Sequence, residues 1–284
     1  MTKIAIVTPL KNEESNIPRL FQSVLCQEQS VFHWVIVENG STDRSKELLN
    51  DSIKDLSEEN ICIHLIHFGT EHEEYALGTK YASVVSFGFS YIRSNNLEFD
   101  FIGILDADCF PAADYYKRLL RGFERYDNIG LLSGRLVKHD GKLGNSSKRH
   151  VRGSGRLWRK EAWKYENYVI SVSADSNSRI LTILEGWKIG VVQKAFYVSR
   201  EASSVVGYEY YGKSAYYNNY SYLFIIIKLL KLILTNPTNA KLFLAGFVSA
   251  KHSNIGKIEN SSLIKYNKKR VINKFLHRKY ATII

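Results

Sequence analysis

The sequence is poor in the residues that mark secreted, fibrous or repetitive proteins: 284 residues contain 3 Cys and 4 Pro. Cys26, Cys62 and Cys109 are odd in number and far apart, which excludes a disulfide framework and a cysteine-based zinc site. They suit a reducing compartment. So few prolines leave no proline-rich linker, and neither an internal repeat nor a low-complexity tract occurs. No basic region and long apolar run precede Ile4-Ala5-Ile6-Val7, so a secretory signal is not expected. The apolar stretches Tyr222–Leu234 and Leu242–Ala250 are short. Thirteen helical residues reach about 20 Å, against about 30 Å for a bilayer core. Neither reads as a transmembrane span.

Acid is scarce in the last third. From Glu201 to Ile284 there are 13 Lys or Arg against 3 Asp or Glu, whereas residues 1–200 hold 26 against 25. The net charge of +11 is therefore a property of the tail. A near-neutral body with a basic tail points to an anionic surface: lipid, nucleic acid or an anionic acceptor. The long Ile/Leu/Phe runs fit lipid or protein burial better than a phosphate-tracking groove, so a nucleic-acid partner is not expected.

What is present is ordinary globular composition, 45% apolar and 24% charged. Over the first two hundred residues, short β-rich runs alternate with helical-period runs, predicting a mostly parallel α/β sheet flanked by helices. The strands are Ile4–Thr8, Trp34–Glu38, Ile61–His67, Phe101–Leu105, Ile129–Leu132 and Ile189–Tyr197. Helices are expected around Ile17–Leu25 (capped by Ser15 or Asn16), from Ser41–Asp43, along the face Leu77, Tyr81, Val84, Val85, Gly88 and Phe89, from Ala113, and over Arg179–Gly186. Lys138–Gly155 reads as a long loop, and loops of that length tend to be functional or mobile. We place a catalytic domain at 1–205 and a helical, basic and apolar extension at 206–284, for membrane association or oligomerisation.

Three strand ends carry polar clusters. Asp106-Ala107-Asp108 follows Ile102–Leu105; i and i+2 of extended backbone project to one side, at the edge where open α/β sheets bind ligands. Paired carboxylates suit Mn²⁺ or Mg²⁺ bridging a diphosphate, the alternative being that they cap a turn or the next helix. The first strand runs into Thr8-Pro9-Leu10-Lys11-Asn12-Glu13-Glu14, the second into Glu38-Asn39-Gly40-Ser41-Thr42-Asp43. Together, in this order and spacing over about residues 3–200, they resemble the family 2 glycosyltransferases of GT-A fold.

The resemblance implies that Thr8, Pro9 and Glu13 line the nucleotide pocket and that Glu38 accepts a hydrogen bond from the base; the family usually has Asp there. It implies that Lys80 lies near the nucleotide, a solvated helix lysine being the alternative. Asp106 would face the ribose and metal, and Asp108 would ligate the metal. The late acidic position, Ala174-Asp175 ahead of Gly186-Trp187-Lys188-Ile189, implies Asp175 as general base, with a helix N-cap as the alternative. Gly153-Ser154-Gly155 resembles the small-residue segment that shapes the acceptor side. Tyr197-Val198-Ser199-Arg200 lacks the His found in some relatives. The Gln-x-x-Arg-Trp motif of processive synthases is absent too, so transfer of a single sugar is expected.

The implied activity is inverting, metal-dependent transfer from a nucleotide-sugar, a UDP-sugar above others, to a hydroxyl of a glycan or lipid-linked acceptor. Synthesis of cell-surface polysaccharide or glycoconjugate is the setting. The rival is a catalytically silent scaffold on the same fold. Two short tail helices from about Tyr216 are expected to hold the protein on the cytosolic membrane face, with packing into a homodimer as the alternative. In that reading Ile225, Ile226, Leu229, Leu230 and Ile233 bury in lipid, and Lys228, Lys231 and the cluster Lys265, Lys268, Lys269, Arg270, Lys274, Arg278 and Lys279 meet headgroups.

Overall fold

The computed structural model describes residues 2–54, 56, 61–69, 77, 79–144, 149–199, 207–273 and 280–284. The expected boundary at 205/206 and the side chains of Lys274, Arg278 and Lys279 lie outside these residues. β1 (Ile4–Leu10) is buried along nearly its whole length, as expected for the centre of a parallel sheet covered on both faces. Its side chains alternate: Ile4 and Ile6 enter one core, Ala5 and Val7 the other. The first core is closed by α1 (Ile17–Leu25), α2 (Ser45–Lys54) and α4 (Tyr115–Arg125). The second is closed by α3 (Thr79–Ser94) and α5 (Ala174–Leu184). In α1 the buried Ile17, Leu20, Phe21 and Val24 keep the helical period, and Pro18 is tolerated in the first turn.

The remaining strands are β2 (His33–Glu38), β3 (Cys62–His67), β4 (Phe101–Ile104), β5 (Phe110–Pro111), β6 (Ile129–Val137), β7 (Arg156–Arg159), β8 (Lys188–Val198) and β9 (Ala281–Ile283). They form one sheet in the order β3-β2-β1-β4-β7-β6-β8-β5, with β9 on β8. β3, β2, β1 and β4 are parallel. β7 runs antiparallel between β4 and β6. The expected α/β sheet is thus present, with an antiparallel insertion beside the predicted metal motif.

Several elements differ from expectation for tertiary reasons. β7, directly after the small-residue segment Gly153-Ser154-Gly155, is not among the expected strands, because four residues are too few to show a period. Leu157 fills the first core and Trp158 the second. α2 starts at Ser45 rather than at Ser41–Asp43, because those residues are tied to the loop after β1. Asn12 N–H donates to Ser41 Oγ (3.0 Å), Thr42 N–H to Asn12 Oδ1 (2.8 Å) and Glu13 N–H to Ser45 Oγ (2.9 Å). Asn16 stands at the α1 N-cap position without a capping bond; its amide donates to Glu13 instead. α5 starts five residues early, its polar first turn held by buried partners of Asn177 and Ser178.

The tail holds more than the two expected helices: α6 (Tyr208–Tyr217), α7 (Tyr222–Thr235), α8 (Pro237–His252) and α9 (Ser261–Lys268), and residues 270–273 are helical again after the turn at Lys269. Its end returns to the catalytic sheet as β9. α6 and α8 cross at two glycines: a Cβ on Gly212 would lie 2.0 Å from the Phe243 carbonyl, and one on Gly246 would lie 1.9 Å from that of Glu209. Leu263 and Ile258 pack on Ile180 and Leu181 of α5. A buried amide knot joins the same elements: Asn177 donates to Asn218 Oδ1 (3.2 Å) and Asn267 to the Asn218 carbonyl (2.8 Å). The extension is therefore built onto α5.

Candidate active site

The loops after β1, β2 and β4 meet where the strand order reverses, the crevice in which open α/β sheets bind ligands. A cleft of about 410 Å³ lies there, lined by Pro9, Leu10, Lys11, Glu13, Asn39, Lys80, Tyr81, Asp106 and Asp108 among others. Five expected residues are thus brought together: Pro9, Glu13, Lys80, Asp106 and Asp108. Two are not. Thr8 is fully buried and its hydroxyl accepts from Trp34 Nε1 (2.9 Å). Glu38 turns inward, accepting from the Ser41 N–H and from His67 Nδ1 (3.3 Å) and pairing electrostatically with Lys46 at 3.9 Å. Burial opposes its charge, but the Ser41, His67 and Lys46 interactions outweigh it and hold the carboxyl below its usual range. Asn39 lines the cleft in its place, and Asn39 Oδ1 is buried without a hydrogen-bond partner.

Asp106 and Asp108 converge through a turn rather than through extended backbone: Cys109 N–H donates to the Asp106 carbonyl (3.0 Å). Asp106 N–H donates to Ser154 Oγ (2.7 Å), and the Asp106 carboxylate accepts from Tyr81 OH (2.6 Å). Tyr81 was legible as a helix-face residue but not as a cleft residue, since helical period does not distinguish core from crevice. Burial pushes the Asp106 carboxyl up to about 7 against the Tyr81 bond, and the Asp175 and Asp108 carboxylates add to the rise. This crowding of negative charge fits a divalent cation. Asp106, Asp108 and Cys109 offer ligand atoms within 4.8 Å of one another. Burial and the two aspartates raise the Cys109 thiol well above its ordinary value, so it stays protonated. The donors are two hard carboxylates, which suit Mn²⁺ or Mg²⁺ and not a thiolate metal.

Asp175 lies in the first turn of α5; Ser173 holds the N-cap position, at φ 63°. Asp175 is not a cap. Its carboxylate pairs with Arg156 Nη2 (2.9 Å), and the Arg156 side chain is wholly buried while that of Asp175 is 40% exposed. The rest of the guanidinium donates to the Gly153 carbonyl (2.6 Å), the Asp175 carbonyl (3.1 Å) and Ser178 Oγ (3.1 Å). Gly153 touches the same carboxylate: a Cβ there would lie 2.2 Å from Asp175 Oδ2. Gly155 adopts φ +67°, donates to the Ile104 carbonyl (2.8 Å) and accepts from Tyr115 OH. The Gly153–Gly155 segment thus ties Asp106 to Asp175. Arg156, the residue that anchors Asp175, has no sequence signal beyond lying beside that segment.

A mostly parallel sheet with a carboxylate pair at its switch point defines a GT-A-type glycosyltransferase domain. The family model for glycosyl transferase family 2 matches residues 5–181, and the chain belongs to that family. The chain is similar to an undecaprenyl-phosphate 4-deoxy-4-formamido-L-arabinose transferase of Photorhabdus laumondii, 28% identical over 132 residues, covering 45% of this chain and 36% of that one. The match spans about a third of the relative's length. The fold is similar to that of S. aureus TarS 1–349 in complex with UDP-GlcNAc (TM-score 0.55, 14% identity, 96% of this chain and 81% of that one). It is also similar to that of the mannosyltransferase PcManGT from Pyrobaculum calidifontis in complex with GDP-Man and Mn²⁺ (TM-score 0.54, 14% identity, 98% and 84%).

Proposed function

We propose that the protein transfers a single sugar, with inversion, from a nucleotide-sugar to a hydroxyl of a lipid-linked or glycan acceptor. The observation that carries this reading is that Asp106 and Asp108 line the cleft at the switch point, with Asp175 close enough to raise the Asp106 carboxyl. Pro9, Glu13 and Lys80 hold the nucleotide. Asn39, whose carbonyl oxygen lacks a partner, reads the base from the position next to Glu38, and Glu38 braces the loop behind it. Uracil offers an N–H to that oxygen, which supports a UDP-sugar donor.

Asp106 and Asp108 would hold Mn²⁺ or Mg²⁺, which would supply Lewis-acid stabilisation of a departing diphosphate. Asp175 takes the proton of the acceptor hydroxyl as that oxygen attacks the anomeric carbon. Arg156 and Gly153 fix the carboxylate's position and so contribute orientation. The Gly153-Ser154-Gly155 segment shapes the acceptor side by holding Asp175 against the end of β4.

The protein sits peripherally on the cytosolic membrane face. No helix among the described residues is long and apolar enough to cross a membrane, yet α7 carries an open apolar face with Ile226 at 54%, Leu230 at 56% and Leu234 at 87% exposure. Ile225 and Leu232 do not share that face; they fill the tail's own core with Phe243, and Leu229 packs beside them. Lys228 lies over the Tyr208 ring, leaving Lys231 at the open edge.

A panel of sugar nucleotides, read by nucleoside diphosphate release with and without Mn²⁺ or Mg²⁺, tests the activity. Metal-stimulated release with one donor and a hydroxyl acceptor is expected. No release across the panel would leave a sugar-nucleotide-binding scaffold.

A further inference from the structure

The two oxygens of the Asp106 carboxylate are not equivalent. Oδ1 accepts from Tyr81 OH at 2.6 Å, within the range of a charge-assisted bond from a hydroxyl to a carboxylate. Oδ2 has no hydrogen-bond partner among the described residues. The backbone at Asp106 is pinned separately, its N–H donating to Ser154 Oγ (2.7 Å). One oxygen is therefore committed to the protein and the other is left to the cleft that Asp106 lines.

Tyr81 is presented to that oxygen by a fixed backbone. It lies in the first turn of α3, and α3 sits so close to β1 that a Cβ on Gly88 would lie 2.4 Å from Val7 Cγ1. The approach to α3 is held from the tail: Leu77, at φ 47°, accepts through its carbonyl from Tyr210 OH of α6 (3.2 Å). Tyr81 lines the cleft beside Lys80 and is 37% exposed, so its ring is a wall of the site and not part of either core.

We infer that Tyr81 is a specificity-determining residue of the cation site: by holding Oδ1 it leaves Asp106 a single oxygen to give, which favours a small octahedral cation over Ca²⁺. The inference rests on the transferase reading above, whose cation ligands are Asp106 and Asp108, and it names the residue that selects the ion. Cations differ in what they ask of a carboxylate. Ca²⁺ takes about 6–8 oxygens in flexible geometry and readily uses both oxygens of one carboxylate. Mg²⁺ and Mn²⁺ suit octahedral sites, in which one oxygen from each of two carboxylates leaves room for water and a diphosphate. The Tyr81 bond opposes the first arrangement and prepares the second. It also holds the Asp106 side chain in one rotamer before the ion arrives, so less freedom is lost on binding.

Ion binding is measured by calorimetry on the full chain without donor, with Mn²⁺ and Ca²⁺ as the probes. The wild type is expected to prefer Mn²⁺. Tyr81→Phe keeps the ring and removes only the hydroxyl, so Mn²⁺ affinity should fall about tenfold, the lower end of what the partners of metal ligands contribute. Ca²⁺ affinity should hold or rise, and the preference for Mn²⁺ should collapse. Equal weakening of both ions would mean a general loosening of the cleft and overturns the assignment, as does wild-type Mn²⁺ affinity in the variant. A second reading needs no variant to fold: saturating Mn²⁺ should shift a tyrosine difference band in the near ultraviolet, because charge drawn from Asp106 weakens the phenol's bond. No shift in the wild type overturns the role of Tyr81, and binding of neither ion removes the cation site and that role together. Because no donor is present, these failures are distinct from silence in the diphosphate-release panel.

Discussion

The two halves of the cleft are built differently. On the donor side, the loops after β1 and β2 clasp each other through Asn12, Glu13, Ser41 and Ser45, all within a few residues of a strand end. On the other side, Asp175 is held by Arg156 of β7 and by Gly153 in the loop before it. A donor site made of local loop chemistry is compatible with a fixed motif. An acceptor site made of long-range packing changes with whatever the tail supplies.

The sharpest way to break this comparison is to remove proton acceptance while leaving the donor half intact. Asp175→Asn should lower turnover by about 10²–10⁴ at saturating donor and acceptor, with donor affinity by calorimetry unchanged. Equal loss of donor affinity would show that Asp175 belongs to the nucleotide half. Asp108→Asn does the reverse. It should reduce activity to the metal-free baseline and weaken donor binding while the circular dichroism spectrum stays native. Unchanged Mn²⁺ dependence would remove Asp108 from the ligand set.

Arg156→Met tests whether the acceptor half depends on packing. It strips three accepting groups of their donor and leaves Asp175 unpaired. Because the Asp175 carboxylate is 40% exposed, solvent screens its share of the loss. The expected cost is about 3 kcal/mol, chiefly from the orphaned acceptors, read by denaturant unfolding. A loss under 1 kcal/mol would mean that the ion pair does not organise this half.

The donor half was the more legible in sequence because its residues act through backbone ends. Strand, polar loop and helix cap follow one another, and the pattern of β1, β2 and β4 is readable from apolar runs and their stops. Even there, the sequence reading expects Glu38 to face the cleft, whereas Glu38 is buried and Asn39 lines it, because alternation along the strand decides which side chain turns inward and the stop residue does not. β7 escaped because Arg156–Arg159 is too short to show a period. The first turn of α5 escaped because Ala174–Ser178 is polar and becomes helical through tertiary partners. The tail's charge and apolarity were plain, but the glycine crossing of α6 with α8 joins residues more than thirty apart and has no local signature.

Proton competition at Asp106 gives an effect of intermediate size. Its folded carboxyl lies near 7, above the ordinary 3.8, because of burial and the neighbouring carboxylates. A ligand must lose its proton, so Mn²⁺ affinity should fall about tenfold per pH unit below about 7 and level off above it. In the metal-free protein the sign follows from the same shift. The folded state holds this proton more tightly than the unfolded chain, so the Asp106 contribution to stability falls as pH rises from about 4 to about 7. Asp106→Asn should flatten that slope. Mn²⁺ affinity independent of pH from 5 to 8 would contradict the shared burial of the carboxylates.

The smallest effect should come from the tail's outer edge, where charge and apolar area act together. Lys231 stands beside the open face of α7 and lacks the aromatic platform that holds Lys228. A surface cation near anionic lipid contributes about 1 kcal/mol before screening, so Lys231→Gln should weaken flotation with anionic liposomes by about fivefold at low salt. High salt should erase the difference, since the Debye length shrinks to about 3 Å at 1 M. Leu230→Ser and Leu234→Ser should reduce binding at both salt concentrations, because removing apolar area from the contact does not depend on screening. If the protein floats with neither anionic nor neutral liposomes, the face is covered by a second copy of the chain. The leucine variants should then shift sedimentation toward the monomer and leave lipid binding untouched.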